Sequence, residues 1–322
     1  MDDAQKIPTV GKLETKREHY LPRFFLRCFT DMRGKISYVT RVKETNRAAL
    51  YENMRVENVA VQKALYETPY LGAGSGEYYF PNYLEKSLSS IEKQLSDDFK
   101  DVSNIVLNMR PSEQLSNKDL SRIVEYISIF IPHILLRSPD AVRNASVNAD
   151  VFLNAMKQLN IDSPEALKKI YRDTAMDEEF DDSLVFDPQA LAEQSSLLLQ
   201  VLPNISNNEE AIKASPLYKA VMYFQNCSFL LLTTSVGHPF IGIDRPICTV
   251  LDEGFCAWYY PLSSKVAVML FEDNRHTFEK RSINRKQLKD FNRIAFNDGS
   301  WNLVFCERSD YLRQYGVVEE GK

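Results

Sequence analysis

The opening run of alternating texture is "EHYLPRFFLRCF", residues 18 to 29. Leu21, Phe24, Phe25, Cys28 and Phe29 recur at i, i+3, i+4, i+7 and i+8, one apolar face of a short helix. Pro22 suits the first helical position, where its missing N–H costs nothing. "MRGKISYVT" then predicts a turn at Gly34 followed by a strand. Residues 41–70 are mixed, and their "ENVAVQKALYET" is either a short helix or an extended segment. Over residues 83–108 the stripe Leu84, Leu88, Ile91, Leu95 predicts a long amphipathic helix. Ser116 with Asp119 opens another, which runs through "EYISIFIPHILLRS" with Pro132 inside it. Further helices occupy 147–235, separated by breaks such as "DEEFDD" and "PNISNNEE". From about 228 the period changes to that of strands: "FLLLTTS", "FIGID", "AWYYPL", "KVAVMLF" and "WNLVFCE", with one helix at about 284–298.

This order predicts an α+β fold, helical in the middle, with a small mixed sheet built from C-terminal strands and joined by an N-terminal strand. The expected organisation is a loose N-terminal arm over residues 1–17 and a single α+β domain over 18–322. Within that domain the helical region spans about 83–226 and the strand-rich region about 227–312.

Composition narrows the function classes. Lys plus Arg is 39 against 44 Asp plus Glu, a net charge of -5. That excludes a protein coated in positive charge for indiscriminate nucleic-acid binding, and leaves room for a local basic pocket. The longest apolar runs fall short of the roughly 18 residues a membrane helix needs. With a polar, acidic start, they set the expectation of a cytoplasmic protein without a membrane partner. Cys28, Cys227, Cys248, Cys256 and Cys306 form no C-x-x-C motif and read as reduced, mostly buried thiols.

Four places carry candidate chemistry. His19, Arg23 and Arg27 are four apart and share one flank of the first helix. A cation at Arg23 opposes the helix dipole by roughly 0.3–1 kcal/mol. Either a structural acid or a bound anion answers it. Asp244, in "HPFIGIDRPI", ends a short apolar strand just before Arg245 and Pro246. It is a general base, a metal ligand or a turn-capping carboxylate. Asn292 falls on the apolar face of "KQLKDFNRIAF", so it either holds a loop or touches a ligand. His133 and Arg137 follow the Pro132 kink, four residues apart.

Other signals are weak. "GAGSGE" at 72–77 lacks the pattern of a phosphate loop, and no G-x-S-x-G elbow occurs. The four histidines show no metal-ligand spacing, although a carboxylate-held magnesium ion remains open. "SSK" at 263–265 lacks the acid of a metal-nuclease core, which counts against that fold.

Taken together, these segments resemble the bacterial domain-of-unknown-function family 4238. "HYLPRFFLRCF" matches its His-Tyr-x-Pro-x-Phe-x-Leu-x-x-Phe opening at His19, Tyr20, Pro22, Phe24, Leu26 and Phe29. "NVAVQKALYET", "LLRSP", "PFIGIDRPI", "YPLSSKVAVML" and "FNRIAFND" follow in the family's order. The chain departs from the pattern at Arg23, Gln62, Ile243 and Arg245. The resemblance implies bacterial origin, often in variable genomic regions. It also groups His19, Arg27, Asp244 and Asn292 into one constellation.

Two expectations follow. In the first, the chain is a hydrolase or nuclease-like effector in bacterial defence, acting on nucleic acid or a nucleotide. His19, Arg27 and Asp244 are catalytic, and Arg23, Arg137, Asn292 and Arg245 bind substrate. Asp244 orients His19 or holds magnesium. In the second, the chain is a non-catalytic binding or structural module that works with another protein of the same system, and Arg27 pairs with Asp244.

Overall fold

The computed structural model describes residues 10–15, 17–42, 47–71, 75–109, 115–145, 149–174, 183–202, 209–234, 237–250, 256–273, 275–298, 300–316 and 319–320. Its helices are α1 (Arg23–Arg27), α2 (Tyr83–Asn108), α3 (Asn117–Arg137), α4 (Pro139–Ala145), α5 (Ala149–Gln158), α6 (Pro164–Thr174), α7 (Pro188–Val201), α8 (Glu209–Ala214), α9 (Pro216–Gln225), α10 (Arg285–Asn297) and α11 (Ser309–Arg313). The strands are β1 (Val10–Gly11), β2 (Arg17–His19), β3 (Lys35–Val42), β4 (Arg47–Arg55), β5 (Val61–Lys63), β6 (Thr68–Pro69), β7 (Tyr78–Tyr79), β8 (Ser228–Thr233), β9 (Gly242–Ile243), β10 (Ile247–Val250), β11 (Cys256–Pro261), β12 (Val266–Phe271), β13 (Phe278–Ser282), β14 (Leu303–Cys306) and β15 (Glu319–Glu320). The fold class is α+β, as the periodicity predicts.

The chain divides into two compact units. The first comprises Met1–Glu18, Gln62–Ser90 and Pro139–Tyr218; the second comprises His19–Val61, Ile91–Ser138 and Lys219–Lys322. The division falls inside α2, after Ser90.

In the first unit β1, β7 and β6 form a small antiparallel sheet. Val10 and Gly11, placed by the sequence in a loose arm, pair with Tyr79 and Tyr78. Residues 1–9 of that arm lie outside the described residues. Tyr70 and Tyr79 meet edge to face at 5.2 Å and pack with Leu167, Phe186, Ala190 and Leu191. The Tyr79 hydroxyl donates to the Val185 carbonyl at 3.0 Å, so this buried ring keeps a partner for its polar tip.

In the second unit one sheet runs β10-β11-β12-β8-β13, antiparallel except for β13, which lies parallel to β8. The other runs β15-β4-β3-β14-β9. Here the N-terminal strand β3 joins the C-terminal strand β14, with Leu303 opposite Thr40 and Cys306 opposite Ser37. The core is aromatic. Phe25 stacks on Tyr260 at 5.5 Å and meets Phe29, Phe130 and Phe305 edge-on at 5.3, 5.3 and 5.8 Å. Five residues cannot hold a helix by themselves. α1 also lacks a side-chain N-cap, so burial of Phe25 and Leu26 holds it. α3 starts as its sequence predicts, with the Ser116 hydroxyl accepting the Asp119 N–H. α10 carries a reciprocal capping box between Asn284 and Gln287.

Candidate functional site

The flank expected on the first helix is only partly helical: α1 carries Arg23 and Arg27, whereas His19 ends strand β2. Arg23 and Arg27 are exposed on α1, and His19 lies half-buried just before it. The His19 ring is hydrogen-bonded to the Val56 backbone. Burial, then the nearby Arg23 and Arg137 guanidiniums, press its pKa down to about 4, so the imidazole is neutral at pH 7. Arg27 faces Glu57 at 3.9 Å with both side chains more than half exposed, a weak pair.

Arg137, expected to bind substrate, has another task. Its side chain is 2% exposed. One guanidinium nitrogen meets Glu92 at 2.7 Å, and the other donates to the His19 carbonyl at 2.9 Å. The fork therefore ties α3 to α2 and to the chain entering α1, instead of facing a ligand. His133, one turn earlier, is buried, and its pKa falls to about 3 through burial and then Arg137.

Asp244 does not join His19. It is fully buried, just after β9, and its carboxylate accepts the Asn302 N–H at 3.0 and 3.3 Å. The Asp244 N–H donates to the Leu303 carbonyl at 3.0 Å. Burial raises its pKa to about 6, against the lowering effect of Arg245 and the backbone donors. This carboxylate ties the turn between β9 and β10 to the residue before β14, a long-range contact and not a cap on its own backbone. The proposed Arg27–Asp244 pair is also absent: Arg27 is directed to Glu57 and stays in solvent, whereas Asp244 is sealed. Arg245 sits half-buried beside Asp244.

Asn292 is the loop holder of its two alternatives. Its Oδ1 accepts the Ile241 N–H at 3.1 Å, and its Nδ2 donates to the Pro239 carbonyl at 3.0 Å and the Tyr315 hydroxyl at 3.2 Å. Both Nδ2 hydrogens are engaged inside the protein, which corrects its assignment to substrate. The expected constellation thus separates into a cationic group, His19, Arg23, Arg27 and Arg137, and a structural group, Asp244, Arg245 and Asn292. What joins the two is apolar: Phe25 of α1 stacks on Tyr260, whose hydroxyl feels the Asp244 charge.

The sequence reading missed a carboxyl pair in the first unit. Glu18 is fully buried and accepts the Tyr66 N–H at 2.9 Å. Glu67 accepts the Asn82 N–H at 3.1 and 3.2 Å. Burial, then the hydrogen bond and charge of Glu18, push the Glu67 pKa up to about 9. A carboxyl so placed favours its protonated form. Among the described residues no three His, Cys, Asp or Glu side chains are grouped to hold a metal. No described helix is long and apolar enough to cross a membrane.

Neither the curated proteins nor the solved structures give a match to the chain. A family model does, over residues 17–309, from the strand before His19 to the start of α11. The chain belongs to the family described as protein of unknown function, DUF4238.

Proposed function

We propose that the chain binds a phosphate-bearing ligand, a nucleotide or a nucleic acid, on the α1 surface, and acts on it as a hydrolase. The supporting observation is the cluster of a neutral His19 with exposed Arg23, above a guanidinium, Arg137, that is already tied down. Arg23 has no ion-pair partner among the described residues, so its fork is open to phosphate oxygens. Arg27 joins it by releasing its weak contact with Glu57. In this reading a bound ligand uncovers the buried Nε2 of the neutral imidazole, which accepts a proton from an attacking water while the guanidiniums stabilise developing negative charge. Asp244 has no part in this reading.

A second reading, binding without turnover, is favoured by one observation: among the described residues the charged groups acting on His19 are Arg23, Arg137 and the exposed Glu57, none of them a buried acid placed to donate a proton. One experiment separates the two. Binding of ATP and of a single-stranded oligonucleotide is measured with cleavage of each, with and without magnesium. Arg23→Ala is expected to weaken binding roughly tenfold, the effect of about 1.4 kcal/mol. His19→Gln is expected to abolish cleavage and leave binding in place. Binding without any cleavage by the natural chain establishes the second reading, and equal binding by Arg23→Ala removes both.

A further inference from the structure

Two of the five thiols meet on a sheet edge. β10 is the end strand of its sheet and pairs antiparallel with β11. The register sets Cys248 opposite Trp258 and Val250 opposite Cys256. Residues facing each other across an antiparallel ladder share a side of the sheet, and so do residues two apart in one strand. Cys248 and Cys256 therefore lie diagonally on the same face. Each thiol is the other's electrostatic neighbour. Cys248 is exposed and Cys256 half-buried, whereas Cys227 and Cys306 are buried. Cys28 is half-buried too, but Cys248 is the one exposed thiol of the five, and both members of the pair are free thiols.

We propose that Cys248 and Cys256 form a redox modification site that closes to a disulfide under a neutral peroxide and reopens under thiol reductant. The exposed sulfur of Cys248 attacks hydrogen peroxide. The O–O bond breaks, one oxygen stays as the sulfenic acid, and the other leaves as water with the thiol proton. Cys256 sulfur then displaces hydroxide from that sulfenic sulfur. The S–S bond forms and the hydroxide takes the Cys256 proton as a second water. Two thiols lose two electrons and two protons, and one peroxide is reduced to two waters.

The surroundings select the oxidant. Glu272 and Asp298 place negative charge near Cys248, which disfavours an anionic disulfide such as oxidised glutathione and leaves an uncharged peroxide unhindered. Burial and the neighbouring Cys256 hold the Cys248 thiol above its ordinary pKa, so the reaction is slow at neutral pH and gains speed as pH rises. A diagonal pair starts wider apart than an unstrained disulfide spans, so closure shifts the edge strand β10 along β11. Such bonds are the readily reduced kind. β10 follows Asp244 by three residues, so the cross-link also stiffens the turn that Asp244 fixes.

The test uses the full reduced chain treated with hydrogen peroxide, followed by peptide mapping without reductant. The expected product is a linked Cys248–Cys256 peptide pair, two hydrogens lighter, restored by dithiothreitol. Indole emission should fall on oxidation, because Trp258 lies on the same face. In Cys256→Ser the sulfenic acid on Cys248 should persist and be trapped by dimedone, and no emission change should follow. Sulfinic acid on Cys248 with Cys256 still reduced would overturn the proposal. So would a dimer linked through Cys248.

Discussion

Glu67 shows how much one proton can carry. In the unfolded chain its carboxyl titrates near 4.5, and in the folded chain burial and Glu18 hold it at about 9. Between those values the folded state holds a proton that the unfolded state has lost. Stability is therefore highest below about pH 4.5 as far as this group is concerned, and falls as pH rises toward 9. Glu67→Gln replaces the proton with a permanent amide that can still donate toward Glu18. The expected result is a variant more stable than the natural chain at pH 8 and equal to it at pH 4. Chemical denaturation at the two pH values checks it, and equal stability at pH 8 would show that the pair carries no proton. The sequence could not show this. Glu18 and Tyr66 are 48 residues apart, and nothing in either segment marks a buried acid. Asp244 failed for the same reason. A strand end before a proline is as good a place for a turn-fixing carboxylate as for a base, and burial decides between them.

Elements were more legible than sites. Helical period fixed α2, α3 and α10, because each keeps one apolar stripe over three or more turns. Strands β8, β11, β12 and β14 were visible as apolar runs. β4, "RAALYENMR", and β13, "FEKRS", were missed, since neither shows the β-branched enrichment that signals a strand. β13 is an edge strand with one partner, where polar residues cost little. Local chemistry also hid the role of Gly242. A Cβ built there would run into the Phe305 ring on the paired strand β14. Gly242→Ala must push that ring off Phe25 and Phe29, which it touches edge-on at 5.8 and 5.1 Å. Overpacking of this kind costs about 1–3 kcal/mol. A lowered denaturation midpoint with unchanged slope is expected, and no loss would show that the core around Phe305 is slack.

At the scale of the whole molecule, charge limits how the chain can hold an anion. A net charge of -5 repels polyanions, so any attraction is confined to a patch. If Arg23 and Arg27 are the phosphate contacts, the logarithm of oligonucleotide affinity should fall with the logarithm of salt with a slope of about -1.4 for a single strand. A slope several times steeper, measured by titration at increasing salt, would place the contact surface elsewhere. Helical spacing made Arg23 and Arg27 readable as one flank; His19 comes beside them from β2, which no helical period could show. The separation of Asp244 and Asn292 from that flank was not readable either, because it depends on which segments three-dimensional packing brings together.

That packing has a temporal side. Thr40 on β3 bonds Asn302, 262 residues later, and β3 stands between β4 and β14. At 5–20 residues per second a ribosome takes on the order of 10 to 50 s to cover that distance. Throughout that interval the apolar side chains of Ile36 and Val39, fully enclosed at the end, belong to a hairpin with one flank uncovered. The nascent chain thus emerges with an adhesive border that its closing stretch covers.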